Sequence, residues 1–439
     1  MHNKEIDYLI IGAGAMGIAF ADEILRQNKI TTVAIVEKRN KVGGHWIDAY
    51  PFVKLHQPAA FYGVNSVILG QGGKDLSSKE EILDYYHKVH QKLLSTGRCH
   101  FYLGYNYIGD NKIVSLKNPN DAQEFTVNKN VVDATYMNVE VPSTHTPKYT
   151  VDVGVSLKPL NELPQELTGW RKYCVIGSGK TGMDAILYLL SNDINPKSIS
   201  WIIPNDAWLF NRAHIQVGTV GKEILRHVSK TIRASDPDDI FISMEKTSGI
   251  MRMNEETTPL KWRCATVSPS ELKELKRVEH VVRKGRVMKI SSNIIHLEHG
   301  EIPYTADTLF IDCSANGLAR QQSVKIWEDR RITLQPILFC QQVFSAATIA
   351  KAEAMSISLA HKNQLKPVPH PELAKDWPKS LSQSVNNLLW VHRYFPLWMF
   401  RSRLNFMSHE PMIKYLYYAL RAQFLSKRLE QASIRLSQG

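Results

Sequence analysis

Hydrophobic and polar positions fall into a repeating figure along this chain. Tyr8–Ile11 and Thr32–Val36 are short, unbroken and rich in β-branched residues, the pattern of strands buried on both faces of a parallel sheet. Between them Ile18, Phe20, Ala21, Ile24 and Leu25 form a helical pattern. The figure returns as the strand Tyr173–Ile176, a helix carrying Met183, Ile186, Leu187 and Leu190, and the strand Ile199–Ile203. Ser77–Ser95 predicts another helix, with Ser78 and Glu81 as a capping box and Ile82, Leu83, Tyr86, Val89 and Leu93 as its stripe. The alternating segments HFYLGYNYIG, KIVSLKN and EFTVNKNVVDATY predict a small antiparallel meander leading into a last strand at Val131–Thr135. Met137–Trp170, rich in Pro and Thr and without periodicity, predicts a linker. TADTLFIDCSANGLA repeats the shape of NVVDATY and predicts a return of the chain to the first sheet, a plain edge strand being the other reading. From Pro371 the pattern is helical, and Ile413, Leu416, Tyr417, Leu420 and Phe424 recur at helical spacing. Such a stripe ordinarily packs on its own protein; a membrane-surface role is the alternative.

The strand ends carry the chemistry. The first run stops at Gly12-x-Gly14-x-x-Gly17: one glycine for the tight turn, one for close approach of backbone to a pyrophosphate, one for helix–strand packing. The helix N-terminus then offers free N–H groups to phosphate. Glu37, 20 residues beyond Gly17, ends the second strand where an acid accepts ribose hydroxyls. Gly43, Gly44, His45 and Trp46 follow in a loop placed to clasp a cofactor ring, a packed structural tryptophan being the other reading of Trp46. Gly177-x-Gly179-x-x-Gly182 repeats the turn, with Lys180 inside it. Gly179-Lys180-Thr181 also matches the end of a P-loop, but Cys174 stands where that loop requires glycine. Two dinucleotide units in one chain imply an electron-transfer pair, FAD and a nicotinamide. Arg212, on the loop after the second unit's second strand, is placed either for the 2′-phosphate of NADP or as an exposed surface arginine.

Composition narrows the setting. At 439 residues two or three domains are expected. The chain enters a strand almost at once, which predicts no signal peptide, and no long apolar run predicts a spanning helix. Five scattered cysteines without a C-x-x-C pair argue against zinc clusters and a dithiol centre and for a reducing, cytoplasmic setting, with Cys174 and Cys313 as core thiols. Of the net charge of +12, a surplus of six lies after residue 390, where eight Lys or Arg face only Glu410 and Glu430. That suits phosphates or an anionic membrane surface; no nucleic-acid motif accompanies it.

The combination of GAGAMG, GGHW and GSGKTG resembles the class B flavin monooxygenases, of the flavin-containing and Baeyer–Villiger types. The resemblance is specific over residues 5–68 and 170–215. It implies that Gly12, Gly14, Gly17, Glu37, Gly44 and Trp46 hold FAD, and that Gly177, Gly179, Lys180 and Gly182 hold NADPH, with NADH as the alternative. LHQPAAFY resembles the family segment beside the flavin ring, which places His56 and Gln57 there as catalytic candidates with Arg212. The family fingerprint F-x-G-x-x-x-H is missing; the stretch reads PSTHTPKYTVDVGVSLKP, with only His145 suggestive. The implied fold is α/β: two Rossmann-like domains, the NAD(P) domain (170–300) inserted into a discontinuous FAD domain (1–140 and 301–370). A linker (141–169) and a basic helical C-terminal region (371–439) complete it. The implied reaction is NAD(P)H-dependent oxygenation of a small organic substrate by molecular oxygen through a hydroperoxyflavin. A flavin reductase without oxygen insertion, or a non-catalytic nucleotide-binding redox partner, are the alternatives.

Overall fold

The first apolar run is the strand Asn3–Ile11, at the centre of a mainly parallel sheet. The computed structural model describes residues 3–71, 75–315, 317 and 321–438. Val33–Glu37 and Ala122–Asp133 flank that strand in parallel, with Cys99–Leu103 and Arg331–Thr333 outside them. Ile11 pairs with both Val36 and Asp133, so three strand ends lie level at one edge. Ligands of open α/β sheets bind beyond that edge. The hairpin Tyr105–Gly109 and Lys112–Ser115 extends antiparallel from the start of Ala122–Asp133, as the alternation predicts. Helix Ala15–Gln27 is buried on almost every side because helix Gln342–Ala354 packs along it. Helix Lys79–Leu94 opens with the expected capping box between Ser78 and Glu81, a feature worth about 1 kcal/mol.

The second sheet has five parallel strands in the order His280–Val282, Ile199–Ile202, Lys172–Ile176, Thr308–Asp312 and Leu157–Pro159. Two expectations are corrected here. Thr308–Asp312 does not return to the first sheet. It lies beside the second glycine strand, Asp312 opposite Ile176, with all five residues buried. An apolar run closing in Asp suits the centre of either parallel sheet, so its composition could not choose between them. The return comes later, where Arg331–Thr333 pairs with Val131–Asp133. Nor is 141–169 a free linker: Thr150–Val151 and Leu157–Pro159 are strands of the second unit, too short to show a period.

Two small sheets complete that unit. One joins Thr150–Val151, Val287–Ser291, Ile294–Leu297 and Gly300–Pro303. The other joins Ala207–Asn211 with Ile250–Met251 and Lys261–Val267, and carries an aromatic cluster of Trp208, Phe241, Trp262 and Trp377. The C-terminal helix Met412–Gln438 packs through Tyr415, Leu425, Leu429 and Leu436. The expected apolar stripe is therefore not its packing face: Ile413, Leu416, Tyr417, Leu420 and Phe424 are between 47% and 84% exposed. The helix bears two apolar faces, and only one meets the protein. Among the described residues no helix is long and apolar enough to cross a membrane.

Candidate active site

The first glycine turn is closed on itself. Gly12 sits at φ +101 and donates its N–H to Val36 O at 2.8 Å, tying the turn to the neighbouring strand end. A Cβ on Gly17 would stand 2.1 Å from Gly12 O, and one on Gly44 (φ +58) would stand 2.8 Å from Gly14 Cα. Only glycine permits these approaches. Gly14 caps helix Ala15–Gln27 without a side-chain hydrogen bond and no acid occupies the first turn, which leaves the helix N–H groups for an anion. Glu37 is buried at the strand end, Oε2 accepting Ala13 N–H and Oε1 accepting Arg39 N–H, both at 2.9 Å. A carboxylate fixed in this way has lone pairs left for two ribose hydroxyls. Trp46, in the short helix Gly44–Trp46, donates Nε1–H to the Tyr62 hydroxyl at 2.6 Å.

The second turn repeats the geometry with different surroundings. Gly177 lies at φ +120 against Cys313 O, and Gly182 against Gly177 O. Trp201 Nε1–H donates to Gly177 O at 2.8 Å. At Gly179, by contrast, a Cβ would meet nothing within 4 Å among the described residues. Lys180 is ion-paired with Asp184, which also accepts the Tyr50 hydroxyl from the first unit at 2.6 Å. The registers Ile11↔Val36 and Ile176↔Ile202 make Ile203 the counterpart of Glu37. No carboxylate stands there. Arg283, just past the parallel strand His280–Val282, lies beside it, bound to Asp206 at 2.8 and 3.2 Å.

Between the two units is a cleft of about 860 Å³. Trp46, His56, Gln57, Gly177, Gly179 and Lys180 line it, while Gly12, Gly14, Gly17, Glu37 and Gly44 form the corner beyond Trp46, and Gly182 serves packing. Burial, reinforced by the charge of Lys180, pushes His56 down to about 4, so its ring is neutral at pH 7. Among the described residues its Nδ1 is buried without a partner, as is Oε1 of Gln341, whose Nε2 donates to Gln57 Oε1 at 2.7 Å. Unpaired polar atoms in a cleft wall are what a bound polar group would satisfy. At the rim, His145 bridges Glu140 (2.8 Å) and Ser314 (3.1 Å), and Ser314 and Tyr149 both donate to Asp312.

Arg212 is corrected on both of its readings. It is buried, and its three nitrogens are engaged by His56 O (3.3 Å), Glu271 (2.6 Å) and Thr266 O (3.1 Å). It is neither a surface arginine nor free for a phosphate; it clamps the His56 segment onto the second unit. Gln341, Tyr50 and Arg283 carry no local signal, since each acquires its place only through tertiary contact. The cysteines are less scattered than their spacing suggests. Cys264 and Cys340, on different elements, pack into one cluster in the cleft wall.

Residues 10–55, the first turn with Glu37 and the loop beyond, match the model of the NAD(P)-binding Rossmann-like domain. The uncharacterised protein Rv2000 of Mycobacterium tuberculosis is 38% identical over 436 residues, covering 93% of this chain and 80% of that protein. The chain belongs to its family. Among solved structures, polycyclic ketone monooxygenase from Thermothelomyces thermophila aligns with a TM-score of 0.55 at 10% identity, over 99% of this chain and 89% of that one. Cyclohexanone monooxygenase from Rhodococcus sp. Phi1, bound to NADP+, aligns at 0.52 and 14% identity over 98% of both. The chain thus has the fold of the class B flavin monooxygenases, as the paired glycine motifs imply.

Proposed function

We propose that the protein is an NADPH-dependent flavin oxidoreductase that oxygenates a small organic substrate in the cleft. The observation that carries this reading is the pair of equivalent glycine turns, one closed and one open, the second lining the cleft and the first joined to it through Gly44 and Trp46. FAD bound at the first turn would supply hydride acceptance from the nicotinamide and activation of dioxygen. The chain's own residues do the rest. Backbone N–H groups at Gly14–Gly17 hold the pyrophosphate, Glu37 holds the ribose, and Trp46 and Tyr62 wall the ring side. At the second turn Gly179 admits the nicotinamide dinucleotide to the backbone. Ile203 in place of an acid, with Arg283 alongside, favours a 2′-phosphate and hence NADPH. Phe61, Phe406 and Val343 make their part of the cleft wall apolar and exclude water, and Gln57, held by Gln341, presents a fixed amide.

One observation favours the alternative reductase without oxygen insertion. The missing fingerprint stretch is occupied by Thr150–Val151 and Leu157–Pro159, and His145 is fully engaged by Glu140 and Ser314. Turnover with NADPH under isotopically labelled dioxygen decides between them. Label in the product is expected; NADPH consumption with all label in peroxide or water would leave the reductase. The partner surface is proposed as an anionic bilayer. The exposed stripe Ile413–Phe424 is bordered by Lys414, Arg421 and Arg428, and a second copy docked there would set these cations against each other. Co-sedimentation with vesicles containing phosphatidylserine, lost in Leu420→Glu/Phe424→Glu, checks it; dimerisation in solution through the same residues would overturn it.

A further inference from the structure

The cleft wall holds a feature that the oxygenation chemistry does not use. Strand Lys261–Val267 runs parallel to Ala207–Asn211 with Trp262 opposite Trp208 and Thr266 opposite Phe210. Four steps along one strand answer two along the other, so the strand bulges over residues 263–265. Cys264 lies in that bulge at φ +57, a backbone conformation that a residue with a Cβ rarely adopts. Bulges re-aim side chains, and non-glycine residues in left-handed backbone persist where the surroundings over-determine them. The surroundings here are rigid: Trp262 is fully buried in the aromatic cluster, and Thr266 Oγ1 donates back to Cys264 O at 3.3 Å.

The segment that meets it is built in the same way. Phe339 also has a left-handed backbone (φ +45), stacks on Trp377 at 5.4 Å, and donates its N–H to Ser384 Oγ at 3.1 Å. Cys340 follows directly, just before helix Gln342–Ala354, and is more accessible than Cys264. Two unusual backbones thus bring Cys264 and Cys340 into one packed cluster, and both residues line the cleft. Of the other three cysteines, Cys99 and Cys174 are buried in the sheets, and Cys313 is buried behind the second glycine turn, its carbonyl against Gly177.

We propose that Cys340 and Cys264 are a redox-active pair that cycles between dithiol and disulfide, with a hydroperoxide as its oxidant. The interaction between the two thiols lowers that of Cys340 and raises that of Cys264, so Cys340 is the nucleophile. The Cys340 thiolate attacks the distal oxygen of the hydroperoxide. An S–O bond forms, the O–O bond breaks, and the alcohol (or water) leaves with the thiol's proton. The Cys264 sulfur then attacks the Cys340 sulfenic acid; the S–S bond forms, the S–O bond breaks, and water leaves with the second thiol proton. Two thiols are oxidised by two electrons in all, and the peroxide is reduced by two. Any thiol–disulfide exchange with a small dithiol restores the pair.

The test uses the full chain with hydrogen peroxide, followed by alkylation, non-reducing digestion and mass spectrometry. The expected result is a Cys264–Cys340 linked peptide, reversed by dithiothreitol, with Cys99, Cys174 and Cys313 still thiols; free thiols in denaturant fall from five to three. In Cys264→Ser, dimedone should trap a sulfenic acid at Cys340; in Cys340→Ser, neither product should form. A chain in which both sulfurs stay alkylatable under peroxide, or in which Cys340 proceeds to sulfinic acid without linking, overturns the proposal. The wild-type digestion decides the matter even if a variant fails to fold.

Discussion

The two glycine turns share a sequence pattern and differ in what surrounds them. At the first, Gly44 presses its backbone against Gly14 and Glu37 holds the Ala13 N–H, so the corner is complete before any ligand arrives. At the second, Gly179 faces open space and Ile203 replaces the acid. A corner that closes over its ligand suits a resident prosthetic group, and one that stays open suits a cosubstrate that must leave on every turnover. The motif marks a dinucleotide site; its neighbours decide how long the dinucleotide stays.

The sharpest way to break this contrast is to add one methyl group to each corner. Gly44→Ala, at φ +58, puts a Cβ 2.8 Å from Gly14 Cα in the first corner, costing about 3 kcal/mol; the protein should purify without flavin or fail to fold, read from absorbance and thermal melting. Gly179→Ala should keep its flavin and its melting temperature while KM for NADPH rises roughly tenfold, about 1.4 kcal/mol. Equal effects at both corners would sink the distinction. Glu37→Gln removes a charged acceptor worth about 1.5–3 kcal/mol, so flavin binding should weaken into the range measurable by equilibrium dialysis while KM for NADPH is unchanged. Arg283→Ala should raise KM for NADPH several-fold, roughly 1 kcal/mol, and leave that for NADH alone; parallel changes for both would remove Arg283 from the 2′-phosphate site.

The smallest effect is on pH. Burial, then the charge of Arg39, lowers His45 to about 4, and burial, then Lys180, does the same for His56. The unfolded chain takes up these protons near 6.5 and the folded protein only near 4, so stability falls as pH drops through that window. His56→Phe should make the decline in melting temperature between pH 6.5 and 4.5 shallower. A variant whose decline matches the wild type would show that His56 is not the group responsible.

What could be read in advance follows from the range of the forces involved. The strands, helices and glycine turns are local, and Tyr8–Glu37 and Tyr173–Ile203 announced them through period and turn chemistry. Sheet membership is not local: Thr308–Asp312 is as apolar as any strand of the first sheet, and only its pairing with Lys172–Ile176 shows where it belongs. Arg212 read as a surface or phosphate-binding residue because nothing near it in sequence reveals Glu271 or the Thr266 carbonyl. Gln341 and Cys340 were silent for the same reason, since their partners Gln57 and Cys264 are brought to them by the tertiary fold.

The interleaving of the two units also sets an order in time. The first sheet is finished by Arg331–Thr333, and helix Ala15–Gln27 is covered only when Gln342–Ala354 exists. Every strand of the five-stranded sheet lies between residues 157 and 312. On a ribosome that sheet is therefore complete while the flavin corner still waits for its cover.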